Sequence, residues 1–398
     1  MFKSLQPAPP DPILGLTESF KKDPSPDKIN LSTGVYKDER GNTPVLNCVK
    51  AAEQRLFETE EEKGYLGIDG LTEYAQSVPE LLIGRAHEVL QQNRTVTVQT
   101  PGGTGALRVA ADFLSQRLSV RRMWISQPTW ANHTNVFQAA GLQVESYAYM
   151  DSTGTSLDFP ALLESLNQIP AGDAICLHAA CHNPTGIDPT LEQWREIGEV
   201  VRNRELLPLV DFAYQGIGRG LVEDSAGLRE LLALHRNLLI CSSFSKNFSL
   251  YGERVGALTL VADSEVAAQT ALTHVKSTIR ANYSNPPKHG AAIVACVLAD
   301  AELTGQWESE LAAMRDRINE MRRLFAETLI AEGVERDFSF VTRQQGMFSF
   351  SGLTPIQVDE LRSKHSIYIV GSGRINVAGM TASNMGHICA AIKAVLNE

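Results

Sequence analysis

Residues 95–118 read TVTVQTPGGTGALRVAADFLSQRL. The opening TVTVQ is a short run of β-branched and apolar residues, the pattern of a strand. From Ala106 onward apolar side chains return every three or four residues, the pattern of a helix. Between the two, Gly102, Gly103 and Gly105 mark a turn. A strand that passes through a glycine turn straight into a helix is the start of a βα unit. Such units predict a largely parallel sheet covered by helices on both faces, with ligands at the carboxyl ends of the strands. Free N–H groups and the helix dipole make this kind of turn an anion site. It lacks the GK[ST] ending of a P-loop and the spacing of GxGxxG, so a phosphate without a nucleotide is expected. A tight turn needing only positive φ is the alternative.

The alternation continues on both sides of this stretch, from about residue 45 to 310. Further strands are expected at MWIS (123–126), AICLH (174–178), LPLV (207–210) and NLLICS (237–242), with helices such as LEQWREIGEVVRNR (191–204) between them. The strands are followed by QPTWANH, AACHNPTG, DFAYQG and SFSKNF, which bring Trp, Asn, Asp, Tyr and Lys side chains to the same rim as the glycine turn. After about 310 the pattern changes to a long charged amphipathic helix and short strand-like segments, FSFVTRQQGMFSFSG (338–352) and IYIVGSGRINVAG (367–379). The expected organisation is α/β: a large domain over 45–310 and a smaller α+β domain over 311–398, joined by an N-terminal arm over 1–44.

Composition narrows the function. With 398 residues, 43% hydrophobic and 21% charged, the chain can bury substantial cores. A net charge of -10 argues against nucleic acid and anionic membrane as partners. The six cysteines are scattered without CxxC or disulfide-like spacing, which fits a reducing, cytoplasmic setting. Prolines interrupt the N-terminal stretch where a signal peptide needs an apolar core, and no run approaches a membrane span.

Several rim residues can carry chemistry. Asp211 closes an apolar strand, where a carboxylate is costly unless a cation or donors meet it; a helix N-cap is the alternative. Tyr214 either points into the same pocket or packs, and Asn183 sits in a turn where Asn often bonds its own backbone. His178 and His182 have the spacing of a metal pair only on a helix, and Asn183-Pro184 makes a turn there, so no metal is expected and these two and His133 read as supporting residues. Trp130 is a core filler or a stacking platform. Lys246, in a pocket beside another cation, would have a lowered pKa and act as a nucleophile toward an aldehyde. Ser243, Arg254 and the glycine turn suit a phosphate, and a buried Asp suits a ring nitrogen. Together these requirements specify pyridoxal 5'-phosphate.

The strings VYKDE, YLGIDG, QTPGGTGALRVAADFL, CHNPTGIDPT, DFAYQG, SSFSKNF, ERVGA, IRANYSNPP, GMFSFSGL and GRINVAGM, with DPILGL near the start, run in order along nearly the whole chain. In these the sequence resembles the class I aminotransferases of pyridoxal-phosphate fold type I, and most closely their bacterial aspartate and aromatic subgroup. The resemblance implies that Lys246 holds the cofactor covalently and shuttles the substrate proton. It implies that Asp211 pairs with the pyridine nitrogen, Tyr214 and Asn183 with the ring hydroxyl, and that Trp130 stacks on the ring. Gly103, Thr104, Ser243 and Arg254 would bind the phosphate, with Tyr65 from a second subunit, while His133 and His178 stand behind Asp211. Gly34, Trp130, Asn183 and Arg374 would meet the substrate, Arg374 taking its α-carboxylate, and Arg280 would cross a homodimer to the distal carboxylate. The implied reaction moves the amino group of aspartate to 2-oxoglutarate. A broad aromatic-amino-acid aminotransferase is the alternative. Ser32, Thr33 and Gly64 depart from the aspartate-selective pattern, whereas Val35, Lys37, Thr43, Thr104 and Asn285 follow it.

Overall fold

The computed structural model describes residues 2–6 and 14–397, so the first half of DPILGL lies outside the described residues. Seven strands form the central sheet: β1 (Thr95–Pro101), β2 (Arg122–Gln127), β3 (Gln143–Ala148), β4 (Ala174–His178), β5 (Leu207–Phe212), β6 (Leu238–Ser243) and β7 (Val255–Val261). Their order is β1-β7-β6-β5-β4-β2-β3. β7 runs antiparallel to both its neighbours and every other pairing is parallel.

Five of these strands are the expected ones; β3 and β7 are additions. β3 lies at the sheet edge and exposes Gln143, Glu145 and Ser146, so no clear apolar run marks it. β7 is buried throughout and breaks the βα rhythm, because it returns from β6 without an intervening helix. The connection, residues 244–254, contains Lys246. Antiparallel pairing therefore anchors both ends of this loop, with Phe244 N–H closing onto the Val255 carbonyl at 3.0 Å.

Alternate residues of the inner strands enter opposite cores. In β5, Leu209 packs in one cluster and Val210 in the other; in β6, Leu239 and Ile240 divide the same way. That is the signature of a sheet covered on both faces. Helix α1 (Gly102–Arg117) lies on β6 and β7 and buries Leu107, Ala110 and Leu114. Its N-terminus points at the rim where the strands end.

A 31-residue helix, α2 (Ala301–Ala331), begins six residues before the expected WESEL start, capped by the Asp300 side chain. It passes residue 310 without a break. Near that point Glu310 accepts from the Asn47 and Cys48 N–H groups, while farther along the Phe325 carbonyl meets Cys389. One continuous helix thus touches both parts of the molecule. The second part holds two short pairings, Ile29–Asn30 parallel to Ile367–Tyr368 and Phe348–Phe350 antiparallel to Arg374–Asn376. The N-terminal and C-terminal stretches therefore share this layer. No helix among the described residues is long and apolar enough to cross a membrane.

Candidate active site

The carboxyl ends of the strands border a cavity of about 720 Å³. Gly34, Gly103, Thr104, Trp130, His178, Asn183, Asp211, Tyr214, Ser243, Lys246, Arg254 and Arg374 all line it. A larger groove of about 1020 Å³ lies beyond residues 33–35, lined by Thr17, Lys37 and Asn376 among others, but no lysine there faces a buried carboxylate. The chemistry belongs to the smaller cavity.

At its floor, Asp211 is 7% exposed. Oδ2 lies 3.1 Å from His133 Nε2, and His133 Nδ1 lies 2.8 Å from Thr129 Oγ1. Burial pushes the Asp211 carboxyl up, but the His133 hydrogen bond, with the Lys246 cation nearby, holds it below its ordinary value. Asp211 is thus an anion, with Oδ1 free of any described hydrogen bond.

Lys246 Nζ stands over the face of the Tyr214 ring, 4.6 Å from its centroid, and makes no hydrogen bond or ion pair to a described residue. Burial lowers its pKa to about 8, with Arg254 and Arg374 adding to the effect and Asp211 opposing it. A lysine so placed has a substantial neutral fraction at ordinary pH.

One end of the cavity is an anion cradle. The turn at Gly102–Gly105 opens α1, and Ser243 closes β6 beside it. A Cβ at Gly102 would drive into the Arg254 guanidinium, one at Gly256 into the Gly102 backbone, and one at Gly103 would sit 3.0 Å from Ser243 Cβ. Glycine lets these three elements converge. Arg254 is itself at φ 55° and donates to the Tyr251 carbonyl at 3.1 Å.

The other end is a cation. Arg374 is 4% exposed, yet it meets only neutral acceptors: Nη1 donates to Asn183 Oδ1 at 3.2 Å and Nη2 to the Ser32 carbonyl. Its Nε has no partner. Asn183 also donates to the Tyr214 hydroxyl at 3.3 Å, linking the two ends. Trp130 stands edge-on to His133 at 5.3 Å.

Within one chain the structure does not bring every expected residue together. Tyr65 is 96% exposed and lies in a separate shallow pocket with Asn285. Arg280, in the last turn of helix Glu265–Asn282, is exposed and bonds Ser284. His178 and His182 touch without a helix, because β4 and the loop after it fold their rings to 4.4 Å. His182 is held by Ser126 and Thr185, while both His178 ring nitrogens are buried without a partner and burial lowers its pKa to about 3. His133, His178 and Asp211 offer ligand-type atoms within 4.8 Å of one another.

Phe348 and Tyr251 line the cavity and were not expected. Tyr251 follows Lys246 by five residues in the same rim loop, which was the available signal. Phe348 comes from a distant strand, and only its place in GMFSFSGL hinted at the site.

The family described as aminotransferase class I and II matches residues 26–392. The aspartate aminotransferase of Salmonella typhi is 56% identical over 396 residues, covering 100% of both chains. The aromatic-amino-acid aminotransferase of Pseudomonas aeruginosa is 46% identical over 394 residues, covering 99% of this chain and 98% of the relative. Among solved structures, an aromatic-amino-acid aminotransferase from Burkholderia pseudomallei covalently bound to pyridoxal phosphate superposes with a TM-score of 0.97 at 47% identity, covering 100% of this chain and 99% of that one.

Proposed function

The chain belongs to the class I and II aminotransferases, pyridoxal-phosphate-dependent transaminases, and from that premise we propose that it is an aspartate aminotransferase. It transfers the amino group of L-aspartate to 2-oxoglutarate, giving oxaloacetate and L-glutamate in two half-reactions. Aspartate aminotransferases of three further bacteria, at 48% to 55% identity, support the substrate choice. The aromatic relatives support a broader enzyme as the second reading.

The residues fit pyridoxal phosphate. The glycine turn, Thr104, Ser243 and Arg254 form a cradle that any Cβ would fill. Asp211 offers a charged oxygen to a ring nitrogen, Trp130 a flat face, and Tyr214 and Asn183 donors to a ring hydroxyl. Lys246 offers an amine with no competing partner, and this supports the reading most. When bound, the group supplies an aldehyde for the amino group and a protonated ring that delocalises the charge left on the substrate carbon.

The protein's own part is binding, orientation and proton transfer. Arg374, which lines the cavity without an anionic partner among the described residues, takes the α-carboxylate. Arg280 of a second copy takes the distal carboxylate, and Tyr65 of that copy reaches the phosphate. With the group bound, Lys246 Nζ would be the base that takes the proton from substrate Cα and the acid that returns it. Asp211, held ionised by His133, keeps the ring nitrogen protonated throughout. His178 packs behind the pair.

The active form is a homodimer with shared sites, and its setting is the cytoplasm, in keeping with six free cysteines. The domains divide as 45–310 and 311–398, the latter joined by 1–44, with α2 bridging them.

Holoenzyme given L-aspartate and no oxo acid should release one oxaloacetate per site and stop, and 2-oxoglutarate should restart it. A comparable burst of phenylpyruvate from L-phenylalanine would move the assignment to the broad aromatic enzyme. No burst from either would reject both.

A further inference from the structure

A buried arginine usually has a carboxylate partner, because an unpaired buried charge is costly. Arg374 has none among the described residues. Its guanidinium is held by a side-chain amide, a backbone carbonyl and, 4.3 Å from the guanidinium carbon, the face of the Phe348 ring. The face of an aromatic ring is negative and attracts a cation without forming an ion pair. An acidic partner in that place would compete with an arriving carboxylate; a ring does not.

Four further features fix that ring. Phe348 stands edge-on to Tyr214 at 6.1 Å, and its Cζ lies 2.7 Å from where a Cβ on Gly34 would be, so any side chain at 34 would dislodge it. Its strand pairs with that of Arg374, Phe348 opposite Asn376. From the other side Arg322 of α2, 1% exposed, donates to the carbonyls of Val341, Gly346 and Phe348 and to Ser349 Oγ. A second buried cation thus secures the backbone that carries the ring.

We propose that Phe348, with its strand tied down by Arg322, is a positioning residue for substrate recognition. Its ring face holds the Arg374 guanidinium at the cavity wall without an anionic partner, so that a substrate carboxylate is the first anion the cation meets. This rests on the reading of Arg374 as the α-carboxylate binder. Both half-reactions present an α-carboxylate, so both are affected alike.

The test uses holoenzyme and succinate, a dicarboxylate with no amino group to transfer, bound calorimetrically, together with steady-state kinetics. Phe348→Leu should weaken succinate about tenfold, within the range a desolvated cation–π contact spans. It should raise KM for aspartate and 2-oxoglutarate by similar factors, with kcat falling much less. Replacing Phe348 by phenylalanines carrying one, three and five ring fluorines keeps the shape while removing the negative face, and affinity should fall step by step. Equal affinity across the fluorinated series would overturn the proposal and leave the ring as a space filler. Arg374→Ala separates the two readings. If it leaves succinate binding intact, the Arg374 assignment itself fails; if it abolishes binding while the fluorinated series is flat, only the role of Phe348 fails.

Discussion

At the scale of single residues, the site is a set of charges whose usual partners are withheld. Asp211 is buried but kept ionised by His133, Arg374 is buried but met only by neutral groups, and Lys246 is left without an acceptor. The lowered lysine pKa has a measurable consequence with a definite sign. A folded-state value of about 8 means that the reactive neutral amine grows in as pH rises through 8, well below the ordinary lysine value of 10.5. The rate at which cofactor-free chain takes up pyridoxal phosphate covalently should therefore rise about tenfold from pH 6 to 7 and level off above pH 8 to 9. A rate still climbing tenfold per unit beyond pH 9 would mean that the pocket does not perturb Lys246. Lys246, Asp211, Asn183 and Ser243 were legible in the sequence because each sits at or just past the end of a recognisable strand, and Arg254 because it follows Lys246 in the same rim loop. Phe348 was not, since its ring reaches the cavity only through a pairing with a strand some 25 residues on, which no local pattern announces.

At the scale of elements, the departure that matters is β7. The alternation of strands and helices breaks after β6, where the chain turns back and pairs antiparallel, inserting β7 between β1 and β6. This insertion brings Gly256 so close to the Gly102 backbone that a Cβ there would clash with it. Gly256→Ala should push the glycine turn off the sheet and cost about 1–3 kcal/mol, as overpacking does. The loss should fall more heavily on the loaded enzyme. The gain in melting temperature on adding pyridoxal phosphate should shrink, and an undiminished gain would show that the turn and β7 are not coupled. The long helix α2 is the second such element. Its amphipathic pattern was evident from Trp307 on, but its start lies six residues earlier, at Ala301, and Trp307 stacks on Phe248 at 4.5 Å and donates to the Asn247 carbonyl. That contact ties α2 to the loop of Lys246.

At the scale of the whole molecule, two of the expected site residues lie away from the cavity of their own chain. Tyr65 and Arg280 are exposed and outside the cavity, so a second copy must supply them if they act as proposed. A hybrid experiment decides it. Lys246→Ala and Arg280→Ala enzymes should each be nearly inactive on aspartate, and unfolding and refolding them together should restore roughly a quarter of wild-type activity, since half the two-fold dimers are hybrids with one intact site. No recovery would place Arg280 in the site of its own chain. By itself the sequence determined the α/β layering, the rim on which chemistry sits and the kind of cofactor, because strand-end residues and glycine turns are local features tied to local backbone geometry. Only the tertiary structure decided the reversal at β7, the neutral surroundings of Arg374 and the place of Phe348 against it. These depend on which distant segments come to lie side by side, and a one-dimensional pattern does not specify that.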